Sequence, residues 1–206
     1  MILYGASGHA KVVQDIVESC GGKVSLFVDD NPALPRRLHG IAVAHRFPAT
    51  AEETIIAIGD NAARRRIALR LSVPFATAVH PAAVVAATAT IGKGSVVMAG
   101  AVVQPYAQVG RHCIVNTAAT IDHDCRIGSF AHISPHATLC GNVSIGEGTW
   151  VGAGATVIQG ITIGRWCVVG AGSIVTHNIP DATLYICRPG PDATSRPLPL
   201  PPDIPL

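Results

Sequence analysis

The chain has 206 residues, of which 49% are apolar, only 4% aromatic and 14% charged, so it can bury a sizeable core in one domain or two. A net charge of +2 with no long basic run argues against nucleic acid as the main partner. No apolar run is long enough to cross a bilayer, and the first strand starts at residue 2 with no room for a leader's charged region, so a soluble, cytoplasmic protein without membrane insertion is expected.

Residues 2–5 (ILYG) read as a short buried strand. The turn Gly5-Ala-Ser-Gly8-His9 follows, and Val12, Val13, Ile16, Val17 and Cys20 then recur at helical spacing until Gly21-Gly22. Val24 to Val28 is a second strand, closing on Asp29-Asp30-Asn31-Pro32. Residues 33–53 are weakly patterned, with room for one short strand near Ile41–Ala44. Thr54 to Ile58 reads as a strand, Gly59-Asp60-Asn61 as a turn and N-cap, and Ala62 to Leu71 as a helix. Arg64, Arg65 and Arg66 diverge around that helix and read as a solvated face.

Alternating strands and helices of this kind make a small α/β unit with parallel strands. A glycine turn opening a helix presents backbone N–H groups that suit phosphate. Gly5-x-x-Gly8 is not the full dinucleotide fingerprint, and a tight turn without ligand explains it equally well. Asp29 and Asp30 suit a ribose or base donor, or a plain acidic turn. With Gly59, however, all three features sit at strand carboxyl ends, where open sheets bind ligands.

From Val79 to Pro180 the chain divides into 17 sixes without insertion or deletion, each opening with Val, Ile or Leu. The fifth place is nearly always small, and a second-place glycine recurs at Gly92, Gly110, Gly128, Gly146, Gly152, Gly164 and Gly170. A period of six is the signature of a parallel β-helix, in which an inward aliphatic residue stacks on its equivalent in the next coil. The small residue fits the inner corner, and glycine is expected to supply the turn's unusual backbone angles. Cys113, Cys125 and Cys167 occupy the small fifth place. With no CxxC spacing among the six cysteines, they read as buried, reduced thiols.

Nine histidines need sorting. His39 and His45 lie in the weakly patterned loop, and His80 precedes Pro81 at the junction of the two units. His112, His136 and His177 fall at outward turn positions and are expected to be solvated. His123, in Ile121-Asp122-His123-Asp124, has the makings of a general base, because a neighbouring carboxylate can orient an imidazole and raise its basicity. An exposed polar turn is the alternative.

YGASGHAKVV, the Asp-Asp pair, AIGDN, AVHP and the run NTAATIDHDCRIGSFAHISPHATLCGNVSIGEGTWVGAGATV together resemble the sialic acid O-acetyltransferase family, which includes bacterial nucleotide-sugar N-acetyltransferases. The likeness covers about residues 1–186. It implies a Rossmann-like nucleotide-sugar unit over 1–76, a left-handed β-helix acyltransferase unit with three sixes per coil over 77–186, and a Pro-rich tail over 187–206. It also implies a homotrimer with active sites between copies, and acetyl-CoA as co-substrate with no metal.

By that resemblance His123 is the general base, supported by Asp124, where the family often has the longer Glu. Ser7, Gly8 and His9 would meet the diphosphate or sugar, Asp29 and Asp30 the nucleoside, and Gly59 lies beside them. His132 would contact acetyl-CoA near the thioester, with Ala153 and Ala171 along the pantetheine. With three sixes per coil, Gly141 stands one coil beyond His123, and its N–H could receive the oxyanion.

The expected reaction is N-acetylation of a nucleotide-linked amino sugar of the UDP-4-amino-sugar or GDP-perosamine type, with sugar O-acetylation of the sialic acid type as the alternative. A γ-class carbonic anhydrase-like zinc enzyme would need a different histidine spacing from His132-x-x-x-His136. A non-catalytic sugar-nucleotide scaffold would leave IDHD unexplained. The end departs from the family's Gly-x-Pro-Ala-Lys/Arg turn, with Cys187 for the first Gly and Arg188 moved forward toward the CoA phosphates. The stretch from Asp192 to Leu206 is expected to be irregular.

Overall fold

In a computed structural model, which describes residues 1–187 and 193–204, a five-stranded sheet leads into a long parallel β-helix. The sheet is ordered β3 (Arg37–Leu38), β4 (Ile41–Ala44), β2 (Leu26–Val28), β1 (Ile2–Tyr4), β5 (Thr54–Ile56). β1 is an interior strand, parallel to both neighbours and buried throughout, which is why its sequence is an unbroken apolar run. The sequence pointed to β4 but not to β3. The two form an antiparallel hairpin turned at His39 and Gly40, whose φ angles of 49° and 81° are the left-handed pair that a two-residue turn requires.

Helix α1 (Gly8–Ser19) buries Ala10, Val13, Ile16 and Val17. That face packs in one cluster with Leu3 and Phe27 of the sheet and with Val96, Met98 and Ile114 of the β-helix, so a single apolar layer joins the two units. Helix α2 (Asn61–Arg70) is capped by Asp60, whose carboxylate accepts from the Ala63 N–H at 2.7 Å. Its Ile67 joins Ile2, Tyr4, Val28 and Ile56 in another cluster.

The β-helix has seventeen two-residue strands, from β6 (Ala78–Val79) to β22 (Ile174–Val175). Ile114 pairs with Val96 on one side and with His132 on the other, 18 residues away each time. Three sixes therefore make one coil and three faces. The first face carries Ala78, Val96, Ile114, His132, Trp150 and Val168. The second runs from Val84–Val85 to Ile174–Val175 and the third from Thr90–Ile91 to Thr162–Ile163. First-place residues such as Val115, Ile133 and Val151 point inward and are fully buried. An interior isoleucine such as Ile133 is worth about 2–5 kcal/mol against alanine.

Glycine has a different job here from the one its sequence position suggested. The left-handed backbone falls on the fourth place of the six, at His112, Ala118, Asp124, Phe130 and His136 among others, and most of these carry side chains. The second-place glycines have no such angle. They are selected by contact between coils, because a Cβ on Gly110 would stand 2.7 Å from the Ser129 nitrogen of the next coil.

Two expectations about exposure are overturned. Arg64 is no part of a solvated face, being 1% exposed between α2 and the β-helix. Its guanidinium donates to the carbonyls of Ile58 (2.9 Å) and Gly59 (3.1 Å) on one side, and of His112 (2.8 Å) and Phe130 (2.8 Å) on the other. His112 is buried rather than solvated, sandwiched against Phe130 at 5.2 Å and edge-on to Phe75 at 4.5 Å. Both faces of the misreading have one cause: the packing of the two units covers positions that are outward on each unit alone.

The tail is more ordered than its proline content suggested. β23 (Thr183–Cys187) extends the first face, and β24 (Ala193–Pro197) pairs antiparallel with it, covering the free edge of the last coil. The chain then returns toward α2. Ile204 is buried, and Asp203 meets Arg66 at 3.5 Å and, through its carbonyl, Arg65 at 3.4 Å. Arg188, expected near a CoA phosphate, lies outside the described residues.

Candidate active site

His123 occupies the third place of its six and Asp124 the fourth, at the edge between the second and third faces. The left-handed φ of 61° at Asp124 turns its carboxylate back on the ring, and Oδ2 accepts from His123 Nδ1 at 2.8 Å. The shorter acid thus reaches. Because a carboxylate only accepts, the proton of the neutral ring sits on Nδ1 and the Nε2 lone pair is free. The bond from Asp124 and the nearby charge of Asp122 push the His123 pKa up. The ring is 59% exposed in the single chain.

Gly141 stands directly beneath that ring, one coil on. A Cβ there would lie 2.7 Å from both Cε1 and Nε2 of His123, so only glycine leaves the imidazole its place. The neighbouring amides are used within the ladder, with the Asn142 N–H on the His123 carbonyl at 2.9 Å and the Gly160 N–H on the Gly141 carbonyl at 3.0 Å. The Gly141 N–H makes no hydrogen bond among the described residues. Third-place amides fall outside the ladder generally, and at His123 the Asp122 carboxylate takes that amide at 2.8 Å. A groove lined by Asp122, His123, Cys140, Gly141, Asn142, Gln159 and Gly160 runs along this edge.

His132 lies elsewhere, on the first face. Asn116 Nδ2 donates to its Nε2 at 3.0 Å, and the orientation of that amide is fixed by the Thr117 N–H on Asn116 Oδ1 at 2.8 Å. Trp150 stacks on the His132 ring at 5.9 Å and donates its own N–H to Ser134 at 2.7 Å. Burial and the Arg64 charge lower the His132 pKa to about 3. His9 faces the same guanidinium and is lowered to about 4 for the same reasons, with its Nε2 buried and unpartnered among the described residues. Asn116 had not been singled out in the sequence, because its contact with His132 spans one coil and shows in no local pattern.

The other expected residues divide in the same way. Ser7 opens α1 without a side-chain cap bond and Gly8 begins the helix. Asp29 braces the glycine turn, accepting from the Ala6 N–H at 2.9 Å and the Asn31 N–H at 3.0 Å. Asp30 accepts from the Tyr4 hydroxyl at 2.6 Å and from Arg70 at 3.2 Å. The Tyr4 bond and the Arg70 charge hold the Asp30 carboxyl below the usual range, while burial and Asp30 push Tyr4 up to about 12. These groups line a cavity of about 440 Å³ with Ile58, Ala63, Arg66 and Ile67 at the strand ends. Ala153 and Ala171 stack on the exposed edge between the first and second faces, where the Gly172 N–H meets the Ala153 carbonyl at 2.8 Å.

The single chain therefore brings His123, Asp124 and Gly141 together on one edge. Ser7, Gly8, His9, Gly59 and His132 gather at the junction, while Ala153 and Ala171 lie along another edge. It does not bring these groups to each other. Among the described residues no three His, Cys, Asp or Glu side chains converge as a metal ion would need, and no helix is long and apolar enough to cross a membrane.

A family model described as PglD N-terminal domain matches residues 1–71, and one described as hexapeptide repeat of succinyl-transferase matches residues 142–177. A curated relative, UDP-N-acetylbacillosamine N-acetyltransferase of Bacillus subtilis (strain 168), is 39% identical over 111 residues, 47% of this chain and 50% of that protein. The match thus spans only half of that relative's length. Two solved structures are similar along nearly all of both chains. One is a single-residue variant of perosamine N-acetyltransferase from Caulobacter crescentus in complex with CoA and GDP-perosamine (TM-score 0.86, 35% identity, 95% of each chain). The other is the acetyltransferase domain of PglB from Neisseria gonorrhoeae FA1090 in complex with acetyl coenzyme A (TM-score 0.83, 36% identity, 96% of this chain and 98% of that one).

Proposed function

Since this chain belongs to the bacterial nucleotide-sugar N-acetyltransferase family, with its PglD-type N-terminal unit and hexapeptide β-helix, we propose that it transfers acetyl from acetyl-CoA to the amine of a nucleotide-linked amino sugar. The observation that carries this reading is the His123 imidazole, clamped by Asp124 and seated over Gly141 at the mouth of a groove. Residues 1–76 would hold the nucleotide sugar, residues 77–186 the acyl chemistry, and 187–206 the closing tail.

In this mechanism the amine nitrogen attacks the thioester carbonyl carbon. His123 Nε2 takes the proton from nitrogen while Asp124 holds the Nδ1 proton and steadies the imidazolium. The C–S bond then breaks, the proton passes from Nε2 to the departing thiolate, and an amide and free CoA result. The carbonyl oxygen carries negative charge in between, and the unengaged Gly141 N–H would be the donor that receives it. No acyl-enzyme is needed, because the thioester is already activated.

The separation of the groups within one chain supports a homotrimer. There, an edge carrying His123 in one copy meets the first face of the next, bringing His132, Asn116 and the small residues Ala153 and Ala171 alongside the cofactor arm. The N-terminal unit, through Ser7, Gly8, His9, Asp29, Asp30 and Gly59, would present the sugar nucleotide to that cleft. Residence in the cytoplasm, where acetyl-CoA is made, follows from the same reading. The test is a panel of UDP-, GDP- and CMP-linked amino sugars and their hydroxyl counterparts with acetyl-CoA, followed by free thiol release. Turnover of an amino sugar supports N-acetylation, turnover only of hydroxyl sugars shifts the reading to O-acetylation, and no thiol release with any of them removes it.

A further inference from the structure

A second cavity of about 440 Å³ lies where α2, the first face and the returning tail meet. Its floor is Trp166, 5% exposed, whose ring lies over Gly148. Trp150 forms one side, His132 stands at one end, and Leu198 and Leu200 form the roof. Asn61 holds the floor to α2, donating to the Gly148 carbonyl at 2.9 Å while accepting from Arg64 at 2.7 Å. The roof is clasped from outside. Leu198 N–H bonds the Ala182 carbonyl at 2.7 Å, Asp203 sits on Arg65 and Arg66, and Ile204 is buried.

The position of the cavity says what fills it. The strand-end cavity of Tyr4, Asp29, Asp30 and Arg70 is bounded by Ile58 and Ala63, and the tail-roofed one by Gly59 to Ala62. The two are therefore consecutive around the start of α2. A nucleoside in the first, its diphosphate at the α1 amides, leaves the attached hexose over the two indoles. Aromatic rings pack well against the C–H face of a sugar ring, and the neutral His132 places no positive charge against an amino substituent.

We propose that the tail from Leu198 to Ile204 is a specificity-determining strap, and that Leu198 and Leu200 hold the sugar ring of the nucleotide sugar against Trp166 and Trp150. This rests on the nucleotide-sugar reading given above. It assigns a role to the stretch that the composition marked as irregular and that the acetyl-transfer chemistry leaves unused.

The experiment is calorimetric, with UDP and GDP each compared with their 4-amino-4,6-dideoxyhexose conjugates, on the full chain and on two full-length variants. Leu198→Ser/Leu200→Ser makes the roof polar, and Asp203→Ala opens the clasp without touching the lining. The wild type should bind a conjugate more tightly than its nucleoside diphosphate. The double variant should reduce that preference by about tenfold, and the clasp variant by less, with affinity for the bare diphosphate held within about twofold. An unchanged preference, an equal loss on both ligands, or a wild type that shows no preference would each overturn the strap. Tight conjugate binding without any thiol release would sink the acetyltransferase reading and leave the strap standing.

Discussion

His123 and His132 are nine residues apart and have opposite chemistry. The first stands on an edge, mostly exposed, with its pKa raised by Asp124; the second lies on a face, covered by the N-terminal unit, with its pKa lowered to about 3. Their places within the six decide this. A third-place residue sits at a turn, where a fourth-place neighbour in left-handed conformation can swing a carboxylate onto it. A sixth-place residue points outward from a strand, so its environment depends on what packs against that face. The edge is built by residues adjacent in sequence or one coil apart, the junction by residues far apart in the chain, as in the bond from Asn61 to the Gly148 carbonyl 87 residues on.

The sharpest way to break this contrast is to remove the base. His123→Ala should lower kcat by about 10²–10⁴-fold while leaving assembly and CoA binding intact, read by steady-state kinetics and light scattering. Unchanged turnover would take His123 out of the mechanism. Gly141→Ala tests the same edge from below. Its new methyl would displace the imidazole, and a misplaced base is expected to cost about 10²-fold in kcat with little change in thermal stability.

At the junction the expected loss is of stability rather than chemistry. Arg64→Met strips the carbonyls of Ile58, Gly59, His112 and Phe130 of their shared donor. A loss of at least about 3 kcal/mol, or roughly 10 °C in Tm, should appear in a thermal melt. A variant as stable as the parent would show that the apolar layer alone joins the two units.

Two pH experiments separate the regions more finely. Asp124→Asn removes the main cause of the raised His123 pKa, so the acid limb of kcat should move to lower pH as the maximum rate falls. A limb that stays put would assign it to another group. The junction should respond to acid through stability. His9 and His112 are lowered to about 4 and His132 to about 3, against 6.5 for the free side chain, so the unfolded chain binds more protons in that interval. Stability therefore rises with pH there and is lost as pH falls from about 6.5 toward 4. Melts recorded at pH 7 and pH 5 should show the lower Tm at pH 5, and equal values would contradict the burial described.

This contrast also explains what could be read in advance. The sixes pointed to the β-helix because each position's role repeats, while the coil of three sixes came from the family resemblance and the pairing 18 residues apart agrees with it. His123 and Asp124 stood out as a neighbouring pair, but their role and the coil length that sets Gly141 against His123 came from the family resemblance; the contacts between them are what the structure adds. Arg64 and His112 were not, since each looks outward on its own unit and is buried only where the units meet. The tail departs from its expected irregularity only over Ala193–Pro197, because Pro-rich composition says nothing of the open edge at Thr183–Cys187 that β24 covers; residues 198–204 are irregular but held, with Asp203 on two arginines.

The most direct test asks whether the two histidines act across a boundary between copies. His123→Ala and His132→Ala chains, each purified with little activity, would be mixed, unfolded and reassembled together. A site that draws His123 from one copy and His132 from the next should regain roughly a quarter of wild-type turnover on random assembly, because half of each contribution is intact. Turnover no higher than the average of the separate variants would mean that both histidines serve a single chain, or that the copies do not meet at all.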